Sequence, residues 1–245
     1  MLVHGYTNCP EQFRSLGDRL FALGCNVLIA PLPHHGLLDR MNTDHQRLTA
    51  EELAAYADEV VDIANGLGRS VIMVGISAGG VTTAFAAQFR AELDRAVIIS
   101  PAFGFQRIPS VLTAQAAGLF MALPNSFRWW NAENGSERAP LHSYPRYSTH
   151  ALAQVLRLGS AVRKAAEQRP PLARSLVLVT NANDQDVNPV LMNEVRDAWQ
   201  RHDALVRTFE FGAELRLAHD LIDPAQADQR IDLVYPRLLE LILKD

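Results

Sequence analysis

The sequence predicts an α/β fold, a mostly parallel sheet with helices on both faces, and three observations carry that reading. Short apolar runs alternate with stretches of helical period along most of the chain. The run Val71-Ile72-Met73-Val74 has no polar interruption, as expected of a parallel strand buried on both sides. That run passes without a spacer into Gly75-Ile76-Ser77-Ala78-Gly79-Gly80 and then into an alanine-rich helical stretch, so the chain must turn sharply at Ser77.

In order, Leu2-Val3 reads as the end of a strand leading into His4-Gly5-Tyr6. Phe13, Leu16, Leu20, Phe21 and Leu23 then fall at helical spacing, closed by Gly24. Residues 26 to 30 read as a second buried strand, which exits into a loop enforced by Pro31 and Pro33 and carrying His34-His35-Gly36. Thr49-Ala50-Glu51-Glu52 has the form of a capping box, and a helix is expected from there to about Gly66. After the Ser77 turn and its helix, 95 to 100 is the next apolar strand. Alternation breaks over 103 to 168, with Pro109, Pro124, Pro140, Pro145 and a Trp129-Trp130 pair, which reads as an inserted cap. It resumes with a strand at 175 to 180, a helix at 190 to 201, a strand at 205 to 211 and a helix from about 225 to 244. The division is therefore a core of 1–102 and 169–245 with an insertion at 103–168.

Ligands of such sheets sit beyond the carboxyl ends of the strands, so residues just after strands are the candidates for chemistry. Ser77 is the first. Glycines at 75 and 79 let strand and helix close around it, lifting its hydroxyl clear of the sheet, while the Ala78 amide points from the helix start into the same space. Three partners should follow. His4-Gly5-Tyr6 can offer the Tyr6 amide as a second oxyanion donor. Asp184 or Asp186, after the strand at 175 to 180, can orient a histidine; Asp184 is preferred because Val187 then falls three residues on as a packing anchor. His219 is the histidine that stands after a late strand, where a base for Ser77 belongs. His4 is expected to pack behind its loop, and His45, His142, His150 and His202 to lie in loops or on the surface.

These pieces together resemble the α/β-hydrolase superfamily, and within it the small microbial carboxylesterases and monoacylglycerol lipases. The likeness rests on His4-Gly5-Tyr6, His35-Gly36, Gly75-Ile76-Ser77-Ala78-Gly79, Asp184-x-x-Val187 and His219-Asp220, in the order serine, acid, histidine. It implies Ser77 as nucleophile, His219 as base, Asp184 as its orienter, and the amides of Tyr6 and Ala78 as the oxyanion hole. It covers nearly the whole chain apart from the insertion, which falls where the family has a variable cap. It also implies two strands and a hairpin before the His-Gly loop, where only Met1 to Val3 stand. The expectation is a chain that starts late, with residues 26 to 30 at a bare or partner-covered sheet edge that leaves a homodimer open.

Composition narrows the class. Of 245 residues, 48% are hydrophobic and 20% charged, which suits a globular enzyme, and the net charge of -4 gives nucleic acid or an anionic membrane no purchase. No signal peptide and no membrane-length apolar run is visible, so stable membrane insertion is not expected and a cytoplasmic protein is. Cys9 and Cys25 read as reduced thiols, and the Cys and His spacings fit no zinc pattern, so no metal or cofactor is implied.

The resemblance implies a small ester as partner, with Phe103, Phe105, Leu119, Trp129 and Trp130 as candidates for an apolar roof over it or for the cap's own core. Arg107, Arg128 and Arg146 face either a charged substrate or solvent. A thioesterase, amidase or peptidase would use the same triad, and a binding-only member would keep the pocket without turnover. Haloalkane dehalogenation would need a carboxylate at Ser77.

Overall fold

The computed structural model describes residues 1–130 and 140–244. Five parallel strands form the central sheet: β1 (Leu2–Val3), β2 (Ile72–Ile76), β3 (Arg95–Ile99), β6 (Leu176–Asn181) and β7 (Val206–Phe211), in the spatial order β1-β2-β3-β6-β7. A two-stranded antiparallel ribbon, β4 (Phe127–Trp129) with β5 (Arg146–Ser148), stands apart from it.

Period-2 alternation divides each strand between two apolar layers. Met73, Ala96, Ile98, Leu176 and Leu178 pack with helices α2 (Ala50–Asn65), α3 (Ala78–Phe89), α5 (Thr149–Gln168) and α6 (Pro189–Arg201). Val74, Ile76, Val97, Ile99, Val177 and Val179 face the opposite way, onto α1 (Glu11–Ala22) and α7 (Ile231–Leu243). The sheet is thus covered on both faces, as its unbroken apolar runs require. The capping box forms: Thr49 accepts from the Glu52 amide at 3.1 Å, and the Glu52 carboxylate accepts from the Thr49 amide at 2.9 Å.

Three elements differ from the sequence reading. Residues 26 to 30 do not make a regular strand. They run outermost beside β1, joined by a Leu2 amide to Leu28 carbonyl bond of 2.9 Å, because a two-residue β1 leaves room for little more. Val27 to Ala30 stay half-buried there. The last helix begins at Ile231 rather than near 225. The Ala225 amide is taken by the Asp223 carboxylate at 2.9 Å and the Ile231 amide by Gln229 at 3.0 Å, so side chains hold this stretch in turns.

The stretch expected to be an insertion divides in two. Up to Ser148 it holds α4 (Thr113–Ala122) and the β4–β5 ribbon, with residues 131–139 outside the described ones. Helix α5 instead turns Ala151, Val155, Leu158, Val162 and Ala166 into the layer of α2, α3 and α6. Its apolar stripe recurs every three or four residues, so it belongs to the core. Among the described residues, no helix is long and apolar enough to cross a membrane.

Candidate active site

At the carboxyl end of β2 the chain turns straight into α3. Ser77 takes up that turn with φ 58 and ψ −117, a conformation that costs an L-residue of order 1–3 kcal/mol and persists only where its surroundings fix it. The surroundings do so. The Ser77 amide donates to the Ile99 carbonyl at 3.0 Å, and its carbonyl accepts from Ala102 at 3.1 Å. A β-carbon on Gly75 would run into the Gly79 carbonyl and Thr83 Oγ1, and one on Gly79 into the carbonyl oxygens of Val3 and His4. Both glycines are there because backbone occupies the space a side chain would need.

After β6, Asp184 is buried and meets His219: Nδ1 lies 2.8 Å from Asp184 Oδ2. The other carboxylate oxygen accepts from the amides of Asp186 at 2.9 Å and Val187 at 3.2 Å. Asp186 is exposed and meets the Asp184 carboxylate through its backbone amide, and the cap of α6 falls to Asn188, whose side chain accepts from the Val190 amide. Burial alone would raise the Asp184 carboxyl, but His219 and the two amides outweigh it and hold the group below the usual range. Burial likewise works against the His219 imidazolium; Asp184, with Asp220 and Asp186 adding, pushes it above its ordinary value instead.

The pairing fixes the proton on Nδ1 and leaves Nε2 without a partner among the described residues. The histidine loop is itself anchored to the end of β6, since Asn181 Nδ2 donates to the carbonyls of Leu217 at 2.9 Å and Ala218 at 3.1 Å. Potential metal-ligating atoms of Asp184, Asp186 and His219 lie within 4.8 Å of one another, but two of these side chains are bonded to each other.

Ser77 and His219 line one cavity of about 310 Å³ together with Gly5, Tyr6, Ala78, Phe105, Trp130, Leu152 and Val155. The amides of Tyr6 and Ala78 have no acceptor among the described residues, and Ala78 is the first residue of α3, where the helix presents its positive end.

Beneath the Gly5–Tyr6 loop lies a group of buried rings. His4 accepts from the Leu32 amide on Nε2 at 3.0 Å and donates from Nδ1 to the Gly5 carbonyl at 2.8 Å. His35 accepts from Thr7 at 3.2 Å and donates to the Pro33 carbonyl at 2.7 Å. The Tyr6 hydroxyl accepts from the Ser148 amide at 3.0 Å and donates to His45 Nδ1 at 2.7 Å. Burial pushes His4 and His45 down to about 4, with Arg146 adding at His45, and takes His35 well below its usual value, with His4 adding. His4 packs as expected. His45 is a correction: a short 3-10 turn over 44–47 faces it inward to Tyr6, and it is 1% exposed.

The roof residues separate. Phe105 and Trp130 line the cavity, and with Trp129 they line a second one of about 350 Å³ beside it. Phe103 is not a lining residue of either; it is buried in the core against Gly159. Leu119 is 56% exposed on the outside of α4. Trp130 reaches back to the loop after β1, where Nε1 donates to Thr7 Oγ1 at 2.7 Å.

A model of the alpha/beta hydrolase family matches residues 1–229. The chain belongs to that family. A curated relative, the thermostable monoacylglycerol lipase of Bacillus sp. (strain H-257), is 26% identical over 113 residues, or 46% of the chain; the match spans 44% of the lipase, under half its length. Among solved structures, one from the work on LipS and LipT, two metagenome-derived lipolytic enzymes, superposes with a TM-score of 0.74 at 17% identity. It covers 100% of this chain and 92% of its own. The monoacylglycerol lipase of Paleococcus ferrophilus gives 0.69 at 20% identity, covering 98% and 92%. These two likenesses speak for the fold.

Proposed function

We propose that the chain is a serine hydrolase of carboxylic esters, similar to carboxylesterases and monoacylglycerol lipases, that works through an acyl-enzyme on Ser77. The observation that carries this is that a serine forced to φ 58 at a strand end shares a cavity with a histidine whose far nitrogen is held by a buried carboxylate. The lipolytic relatives support the same reaction class.

In this mechanism His219 Nε2 takes the Ser77 hydroxyl proton as Oγ attacks the ester carbonyl. The resulting oxyanion is held by the amides of Tyr6 and Ala78, and one such donor is worth about 10²–10³ in rate. Asp184 keeps the ring in its tautomer and stabilises the imidazolium. As the C–O bond breaks, His219 returns the proton to the departing alcohol. Water then attacks the acyl-enzyme, giving its proton to the same nitrogen, and Ser77 leaves protonated with release of the acid.

Turnover of a short-chain p-nitrophenyl ester by wild type and Ser77→Ala tests the reading. The variant should fold normally and lose roughly 10⁴-fold or more. A variant within about tenfold of wild type would refute it.

A further inference from the structure

Helix α1 presents a stripe of Phe13, Leu16 and Leu20 to the sheet, and Gln12 stands on that stripe, fully buried. A buried amide left unpaired is costly, so its partners show what it is for. Oε1 accepts from the Gly5 amide at 2.9 Å, and Nε2 donates to Asp220 Oδ1 at 2.9 Å. One side chain therefore spans from the loop that carries the Tyr6 amide to the loop that carries His219, two segments more than 200 positions apart in sequence.

We propose that Gln12 is a positioning residue that holds the oxyanion loop and the histidine loop in register across the cavity. The role rests on the ester-hydrolase reading above.

On the oxyanion side, Gln12 fixes the peptide before Gly5. The peptide after it is fixed by His4 Nδ1 and the Asn8 amide, which donate to the Gly5 carbonyl at 2.8 and 3.2 Å. In a trans peptide the next N–H points opposite that carbonyl, so pinning both planes aims the Tyr6 amide.

On the other side, Asp220 follows His219 directly and lines the same cavity. Its second oxygen accepts from Gln226 Nε2 at 3.1 Å. Each oxygen of this half-buried carboxylate thus accepts from one amide. Burial, with Asp223, Asp186 and Asp184 adding and His219 opposing, pushes its carboxyl up to about 6.

The test compares wild type, Gln12→Glu, Asp220→Asn and the double variant in full-length protein, with kcat, KM and melting temperature measured across pH 5 to 9 on the same ester. Gln12→Glu keeps an acceptor for Gly5 but sets a carboxylate against Asp220. Its kcat should fall roughly 10- to 100-fold with KM little changed, in keeping with a lost hydrogen bond to a charged group. Relative to wild type at each pH, the loss should shrink as pH falls through the Asp220 range, where one carboxyl takes up a proton.

In the double variant the introduced asparagine amide donates to the introduced glutamate, so kcat should recover to within a few-fold of Asp220→Asn alone. Gln12→Met, which removes both bonds without adding charge, should lower kcat similarly and covers the case in which Gln12→Glu does not fold. The proposal is overturned if these variants lose melting temperature but keep wild-type kcat, or if the double variant is not rescued. Absence of ester turnover by wild type would refute the underlying reading itself, and the Gln12 role with it.

Discussion

His219 and the trio of His4, His35 and His45 are one side chain in opposite company. His219 faces a carboxylate across 2.8 Å, has an Nε2 without a partner among the described residues, lines the cavity, and is held above its ordinary pKa. The trio meets carbonyls, amides and a phenol, and burial holds all three below theirs. The partner assigns a histidine its work. In the proposed reaction a carboxylate makes a base able to accept and release a proton beside Ser77, whereas the neutral partners of the trio hold its rings rigidly beneath the Gly5–Tyr6 loop.

The comparison breaks first at His219. His219→Ala should lower kcat on esters by about 10⁴–10⁶ with a melting temperature near that of wild type, whereas removing His35, which anchors Thr7, should show mainly as lost stability. Comparable kcat losses per folded molecule at the two positions would erase the distinction. Asp184→Asn should cost about 10⁴ in kcat. It should also shift the acid limb of the rate profile. The base must be unprotonated and Asp184 raises its pKa, so wild-type kcat/KM should climb with pH through a midpoint above 6.5, and the variant's midpoint should move down. An unmoved limb would mean that the pair does not set the base.

Stability against pH sharpens the other half. Rings buried neutral bind protons more weakly folded than unfolded, so their contribution is complete above pH 6.5 and is lost as pH falls toward 4. For His4 alone the loss is on the order of 3 kcal/mol, a large share of a typical folding free energy. Melting curves from pH 7 to 4 should fall accordingly, and a flat profile would show that the trio is not held neutral. The smallest effect is expected at Trp130→Phe, which keeps the ring but gives up the bond to Thr7; a few-fold fall in kcat/KM measures that link.

Much of this was legible in the sequence because it is carried by local pattern. Apolar runs gave the sheet, and the G-x-S-x-G set between strand and helix marked Ser77. Chain order pointed to Asp184 and His219, which do meet. What escaped depends on long-range packing. Gln12 stood in plain view on an apolar stripe, at four-residue spacing from Leu16 and Leu20, yet its two partners come from opposite ends of the chain. His45 looked like a loop residue because its burial comes from Tyr6, Tyr144 and Phe127, none of them near it in sequence. Helix α5 falls within the expected insertion because the prolines before it break the alternation, although its own periodicity marks a core-facing stripe. Phe103 read as a roof residue by composition, while its close approach to Gly159 draws it into the core.

The central claim is that Ser77 is a nucleophile activated by His219, and covalent labelling addresses it most directly. Wild type, Ser77→Ala and His219→Ala would be treated with a fluorophosphonate and the adducts located by peptide mass spectrometry. The account predicts one stoichiometric adduct, on the peptide containing Ser77, formed far more slowly in His219→Ala and absent in Ser77→Ala. Labelling of Ser77→Ala at the wild-type rate, or no adduct on the wild-type protein, would contradict it.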